Sequence, residues 1–208
     1  MKKVLFSLVT VASLLTANGG CVLVQSNDMN VTWKAYKTLA KLGVGGAFTA
    51  VTYTPNKKEG KNFKELVVGS KVSIDLTKID TNNEGRDKTL VESFFGKLKG
   101  KTIEGKIVSI KADPKENGKR VYHGTVDVEI TMNEKTVTVP MKYDYKNETF
   151  KAKGTIDLFD FSASDALKSI NKSCFDLHKG KTWNDVSIEF STNIKATLCN
   201  TEVNATKK

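Results

Sequence analysis

Apolar and polar residues alternate along most of this chain, and the alternation is strictest over residues 125–132. Apolar side chains hold every second position from Val126 to Met132, and threonine, aspartate and glutamate hold the others. Successive side chains of a β-strand point to opposite faces, so the pattern predicts a strand with one buried and one solvated face. A turn at 133–135 precedes a second alternating run, and the two runs predict a hairpin.

The same alternation recurs before and after this hairpin. Within residues 102–111 it changes phase, because Ile103 and Ile107 are out of step with Val108 and Ile110, and a β-bulge would reconcile the two phases. About eight strands joined mostly by short turns predict an all-β protein, either an antiparallel sandwich or a closed barrel. The predicted strands cover residues 31–35, 48–54, 72–77, 102–111, 125–132, 137–143, 150–158 and 186–198.

Two short helices interrupt the predicted strands. The first is predicted over residues 86–92, after the polar run Thr81-Asn-Asn-Glu84. The second is predicted to begin at Ser164 as its N-cap and to continue to Ile170.

The first twenty residues predict an export signal. Lys2 and Lys3 precede the apolar run 4–15, which is too short to span a bilayer as a helix. Two interpretations of its end stay open: cleavage after Gly19, or lipidation of Cys21. We therefore expect a signal peptide at 1–20, one domain at 21–200 and a polar tail at 201–208.

The three cysteines are interpreted in the light of export to an oxidising compartment. If Cys21 carries lipid, Cys174 and Cys199 remain as a pair that encloses 24 residues. Closing such a loop stabilises a protein by roughly 3 kcal/mol in the chain-entropy model. We expect this disulfide, and two buried free thiols are the alternative.

The formal charge of +10 falls to +8 when Lys2 and Lys3 are removed with the signal. The lysines are dispersed among the strands without a basic helix or an aromatic platform, which favours a solvated surface over a nucleic-acid site. Weak attraction to anionic lipid headgroups is the alternative interpretation. The few histidines and cysteines match no metal-binding spacing, and no catalytic motif is present, so we expect neither a metal site nor catalytic residues.

A longer motif extends from Val72 to Phe95. A V-x-I-D strand is followed by a segment that ends in R-D-x-x-L and then by two phenylalanines, and the matching positions are Val72, Ile74, Asp75, Ile79, Thr81, Asn83, Arg86, Asp87, Leu90, Phe94 and Phe95. This motif resembles the signature of the YceI-like family. Lys78 stands where the family usually has serine. The likeness extends over roughly residues 30–195.

The resemblance implies an exported bacterial binding protein with an eight-stranded antiparallel, lipocalin-like barrel. Members of the family enclose a long apolar molecule, such as a polyisoprenoid or a fatty acid or amide, and are often dimers. We therefore expect a bound amphiphilic lipid, no other cofactor, a homodimer, no catalysis and a periplasmic location. Two functional classes stay open: a carrier or reservoir for one lipid, and a scavenger of mixed amphiphiles that protects the envelope.

Inward side chains of the predicted strands are the candidates for contact with the lipid, and packed core is the alternative role for each. Phe94 and Phe95 are candidates for closing one end of the barrel. The full set of candidates is Val72, Ile74, Phe94, Phe95, Val126, Val128, Ile130, Val139, Met141, Phe150, Ile156, Ile188 and Phe190.

Arg86 is a candidate for binding a phosphate headgroup. Arg86 and Asp87 occupy adjacent helix positions about 100° apart, so they do not form an acid–base couple, and we expect them to anchor the helix to the barrel. His123 and His178 are isolated in sequence, which disfavours a role as general base. Asn30 and Asn204 lie in D/E-x-N-x-T sequences of the kind used by some bacterial N-glycosylation systems.

Overall fold

The computed structural model describes residues 22–119, 121–179 and 181–197. Over these ranges the chain forms twelve strands, four short helices and one 3-10 turn at Phe95–Lys97. The strands are β1 (Val22–Gln25), β2 (Asn30–Lys37), β3 (Leu42–Phe48), β4 (Val51–Thr54), β5 (Glu59–Gly60), β6 (Lys71–Asp75), β7 (Ile79–Asp80), β8 (Thr102–Ala112), β9 (His123–Met132), β10 (Lys135–Lys146), β11 (Thr149–Asp157) and β12 (Asp185–Thr197). The helices are α1 (Phe63–Val67), α2 (Glu84–Ser93), α3 (Ser164–Ser173) and α4 (Phe175–His178).

Ten of these strands form the wall of an antiparallel barrel, and together they make eight continuous wall strands. β3 and β4 are two halves of one bent strand, and β6 and β7 are two halves of another. The two bent strands pair with each other on both sides of the bend, because β4 pairs with β6 and β3 pairs with β7. Across the bend itself, Thr49 N donates to Lys78 O and Asp75 N donates to Ala50 O. The hydrogen-bonded ladder is therefore continuous between them.

The remaining wall strands complete the ring in the order β6, β8, β9, β10, β11, β12, β2, β3. This confirms the predicted eight-stranded antiparallel barrel. The structure has twelve strands rather than eight for two reasons. Each of the two bent strands is split in two, and the short strands β1 and β5 lie outside the ring. Strand β1 pairs with β5 and with the C-terminal end of β12. A closed ring leaves no unpaired edge along the wall.

The predicted bulge in β8 is confirmed. The register of β8 against β9 shifts between Ile107 and Ser109, so that Ile107 pairs with Val128 and Ile110 pairs with Val126. The extra residue places both isoleucines on the inner side of the barrel, which plain alternation does not allow.

Helix α1 closes one end of the barrel. Its residues Leu66 and Val67 are fully buried, and Asn62 caps the helix by accepting from Glu65 N. Phe63 packs edge-on against the rings of Tyr143 and Tyr145 and tilted against Phe150. We did not predict α1, because a five-residue helix has too few turns to show a 3.6-residue period.

Helices α2, α3 and α4 lie at the opposite end of the barrel. The two predicted helices are confirmed as α2 and α3, but the predicted cap of the second is wrong: Ser164 is the first helical residue, and Ala163 before it makes no side-chain cap bond. The hydroxyls of Ser173 and Ser93 join α3 to α2 at 2.8 Å.

The predicted disulfide receives no support. Cys174 is a free, half-buried thiol that packs near Thr182, at the Asp185 end of β12. Its predicted partner, Cys199, lies outside the described residues, so the disulfide stays a prediction.

Several other expectations fall outside the described residues. These are the signal at 1–20, lipidation of Cys21, the partner Cys199, the tail at 201–208 and glycosylation of Asn204. Asn30 is described: it is the first residue of β2, and its side chain is exposed.

Candidate functional site

The interior of the barrel contains two neighbouring chambers with apolar walls. The inner chamber, nearer to α1, has a volume of about 70 Å³, and the middle chamber has a volume of about 100 Å³. Ile103 and Ile188 line both chambers and mark the border between them.

Next to the middle chamber lies a wider mouth of about 380 Å³, between the helices and strands β2 and β3. The middle chamber and the mouth share a wall in which Trp33 and Ala35 face Leu90 and Ile170. At the mouth, the polar side chains of Lys37, Asn83 and Arg86 contribute to the lining. We call the inner chamber, the middle chamber and the mouth together the tunnel.

Ten of the predicted wall residues line this tunnel. The inner chamber is lined by Val72, Ile74, Val128, Ile130, Met141, Ile188 and Phe190, and the middle chamber by Phe94, Phe95, Ile156 and again Ile188. The other three, Val126, Val139 and Phe150, are buried in the core and line no chamber. Phe150 packs instead against the aromatic rings above α1.

Sequence reasoning missed four residues that line the middle chamber: Trp33, Leu90, Ile103 and Ile170. Trp33 and Ile103 have the inward parity of their strands, so the alternation could have identified them. Leu90 and Ile170 project from α2 and α3, and only the packing of those helices on the barrel brings them to the tunnel.

Trp33 carries the one unpaired donor in this part of the tunnel. The residue is 9% exposed, and its Nε1 is buried without a hydrogen-bond partner among the described residues. Its indole lies against Gly46, where a β-carbon would come within 2.5 Å of Trp33 Cζ2. A buried N–H that lacks an acceptor costs about 1–3 kcal/mol, and an acceptor on a bound molecule would offset that cost.

Arg86 and Asp87 anchor α2 through Thr81, as predicted on physical grounds. Arg86 Nε donates to Thr81 Oγ1 at 2.9 Å, and Arg86 Nη2 donates to Thr81 O at 3.0 Å. Asp87 Oδ1 accepts from Thr81 N at 3.0 Å and from the hydroxyl of the same threonine. Arg86 also lines the mouth, so its guanidinium can anchor the helix and face a headgroup.

Two titratable groups mark the ends of the tunnel. At the mouth, partial burial raises the pKa of the Cys174 thiol, although the charge of Lys37 acts in the opposite direction. At the inner chamber, burial raises the pKa of Tyr53, whose hydroxyl donates to Gln25 Oε1 at 2.8 Å. Both groups are therefore neutral at pH 7.

His123 is not among the residues that line the tunnel, and the side chain of His178 lies outside the described part of the structure. His123 lies at the α1 end of the barrel, where its Nδ1 is 2.8 Å from Asp113 Oδ2 and its Nε2 is 3.4 Å from Glu116 Oε1. Among the described side chains, no group of three or more histidine, cysteine, aspartate and glutamate residues could hold a metal ion. None of the described helices has the length and hydropathy of a bilayer-spanning segment.

A closed eight-stranded antiparallel barrel with an apolar tunnel, open at one end, defines a lipocalin-like class of protein. The domain model named YceI-like matches residues 23–194, and the chain belongs to the YceI-like family. No curated protein matches it in sequence.

Two solved structures share the fold at low sequence identity. A polyisoprenoid-binding domain from Saccharophagus degradans, implicated in plant cell wall breakdown, is 9% identical, with a TM-score of 0.55 over 85% of this chain and 98% of that one. BcnA from Burkholderia cenocepacia is 16% identical, with a TM-score of 0.53 over 80% of this chain and 96% of that one.

Proposed function

We propose that this protein holds one long apolar lipid in the tunnel and acts as its carrier or reservoir, without catalysis. We take the neighbouring chambers and the mouth as one passage, and their apolar lining carries the proposal, because such a passage can cover a chain along its whole length. Removing apolar surface from water stabilises by about 25 cal/mol per Å², so the affinity grows with the length of chain enclosed. The related domain from Saccharophagus degradans, which binds polyisoprenoid, supports the same ligand class.

The polar end of the ligand would face the mouth. Trp33 Nε1 offers a buried donor at the border between the middle chamber and the mouth, and Arg86 adds a positive charge beyond it. Both groups favour a ligand with a hydrogen-bond acceptor at one end, such as a carbonyl, a carboxylate or a phosphate. A prenyl or fatty chain with such an end would place its apolar part in the chambers and its polar end at the mouth.

Native mass spectrometry of the protein taken from its own cells, followed by lipid extraction, tests the proposal. One predominant prenyl or acyl species would support a dedicated carrier. A mixture of amphiphiles would support the scavenger. Protein that carries no lipid and takes up neither a prenyl nor a fatty probe would contradict both.

Two variants test whether the ligand binds within the barrel. Ile188→Trp fills the passage between the chambers, and we expect it to lose the longest ligands while it retains short ones. Thr155→Trp is the matched control, because Thr155 lies exposed on the outer face of the neighbouring strand β11. Equal retention of long ligands by the Ile188→Trp variant and the control would contradict binding in the tunnel.

We also propose that the chain is exported to the periplasm and forms a homodimer, as the sequence and the family resemblance imply. Cell fractionation tests the first statement, and light scattering during size exclusion tests the second. Recovery in the cytoplasm, or the mass of one chain at all concentrations, would contradict them.

A further inference from the structure

Most of the exposed apolar side chains lie around the mouth of the tunnel. Six large hydrophobic side chains are strongly exposed in the described part of the chain, and four of them belong to this region. They are Leu39 and Leu42 in the hairpin between β2 and β3, and Phe175 and Leu177 in α4. Leu39 is 84% exposed and Leu177 is 82% exposed, more than any other residue of the six. We call these four residues the apolar rim.

Hydrogen bonds tie the hairpin to the segment that follows α4. Thr38 N, in the hairpin, donates to Lys181 O at 2.9 Å, and Trp183 Nε1 donates to Thr38 O at 2.8 Å. On the α4 side, Leu177 lines the mouth together with Lys37, the last residue of β2. Both parts of the rim therefore border the entrance.

Four lysines surround the apolar rim: Lys37, Lys41, Lys179 and Lys181. Two carboxylates lie in the same segments, Asp176 and Asp185, and the second is paired with Lys41 at 2.7 Å. The surface therefore keeps a net positive charge.

Aromatic rings sit between these lysines. The Nζ atoms of Lys181 and Lys41 lie 4.3 and 5.0 Å from the centroid of the Trp183 ring. A surface that combines exposed aliphatic side chains, an indole and lysines is typical of proteins that bind the interface of an anionic membrane.

We propose that the apolar rim docks on a lipid bilayer that contains anionic headgroups, with the mouth facing the membrane. The inference rests on the proposed function, because a ligand that passes directly from bilayer to tunnel never exposes its chain to water. Leu39 and Phe175 enter the headgroup–acyl boundary, and the lysines contact the phosphates around it. This accounts for the exposure of four large apolar side chains beside the entrance, which a soluble surface does not need.

Co-flotation with vesicles tests the docking. The probes are vesicles of phosphatidylcholine alone and of phosphatidylcholine mixed with phosphatidylglycerol, and every protein carries Cys21→Ser so that no acyl anchor contributes. We expect Leu39→Ser with Phe175→Ser to lower the partition onto the mixed vesicles by about tenfold or more. We expect Lys179→Gln with Lys181→Gln to lower it by about fivefold per lysine, with a similar loss on raising the salt concentration.

Matched controls carry the same chemical changes elsewhere. Tyr122→Ser removes an exposed aromatic residue at the α1 end, and Lys115→Gln with Lys119→Gln removes two exposed lysines at the same end. Both controls should partition as the unsubstituted protein does. Rim variants that partition equally well, or a protein that ignores the mixed vesicles, would overturn the docking. A dimer that depends on Leu39 and Phe175 would assign the rim to a second copy and overturn it as well.

Binding of a fatty amide in vesicle-free solution separates the two proposals. Neither Leu39 nor Phe175 lines the tunnel, so their variants should bind the amide with unchanged affinity. Loss of vesicle binding with intact amide binding supports the docking surface. Binding of neither the amide nor a prenyl probe in any of these proteins would contradict the proposed function, whatever the vesicles show.

Discussion

Trp33 is the residue at which we propose that the tunnel selects the polar end of its ligand. Its indole is held by strand β2 and by the space that Gly46 leaves, and its Nε1 faces no acceptor within the described chain. Around it the walls are apolar and distinguish ligands mainly by length and shape. A single buried donor adds a selection for one polar group at a fixed position.

Trp33→Phe should weaken binding of a fatty amide about tenfold and leave a hydrocarbon of equal length almost unaffected. The substitution keeps an aromatic ring in the tunnel but deletes the donor, and a hydrogen bond of this kind contributes about 1 kcal/mol or more. Parallel titrations of the two probes measure the difference. An equal loss for both probes would show that Trp33 acts only through packing.

The alkylation rate of the Cys174 thiol measures how accessible the mouth is to solvent. Because partial burial raises its pKa above the ordinary thiol value, the thiol is protonated at pH 7 and alkylation by iodoacetamide should be slow. The rate should increase as the pH rises through that elevated pKa, and bound lipid should reduce it at every pH. Mass spectrometry of alkylated protein with Cys21→Ser and Cys199→Ser gives both rates. Fast alkylation at pH 7 would contradict the burial.

At the scale of elements, the hairpin between β9 and β10 ties the mouth end of the barrel together. Asn133 accepts from Lys99 N at 2.7 Å and donates through Nδ2 to Phe161 O at 2.9 Å, so one turn residue joins three loops. The same turn places Asn133 at φ 52° and Glu134 at φ 61°, in the left-handed region. Asparagine tolerates this conformation better than glutamate does.

Glu134→Gly should therefore raise the free energy of unfolding, by about 0.5–1 kcal/mol, because glycine removes the left-handed cost. The exposed pair with Lys99 that is lost contributes little. Glu148→Gly, in the equivalent turn at φ 60°, should have the same sign. Urea unfolding measures both, and a lower midpoint for both would contradict the strain argument.

Elements also differ in how far the sequence predicts them. The phase change in 102–111 was enough to predict the bulge in β8, because alternation depends on the strand alone. The short helices α1 and α4 left no comparable pattern, since four or five residues do not complete enough turns. The disulfide expectation came from counting cysteines, and it stays a prediction because Cys199 lies outside the described residues.

At the scale of the whole molecule, a lipid in the tunnel becomes part of the core. A ligand that binds only the folded state stabilises it by about 2.7 kcal/mol at a hundredfold excess over its Kd. Delipidated protein should accordingly unfold at a lower temperature, and reloading with a fatty amide should restore the transition. In the Ile188→Trp variant, reloading with a long-chain amide should have little effect. An unchanged transition after delipidation and reloading of the unsubstituted protein would contradict binding inside the barrel.

The sequence by itself determined the antiparallel strands, the bulge, the two longer helices and the parity that sends each side chain inward or outward. These features follow from local rules: two-residue alternation, turn residues and helix periodicity act within a few neighbours. Alternation left a sandwich or a barrel open, and the signature from Val72 to Phe95 added the family and, with it, the expectation of a barrel.

Only the tertiary structure decided which inward side chains line the tunnel and which fill the core. Val128 and Val126 have the same parity on the same strand, yet the first lines the inner chamber and the second is wholly buried. The difference lies in what faces them across the barrel, because side chains packed around α1 fill the space at one end and leave it open further along. Such contacts join residues far apart in the chain, and no local pattern records them.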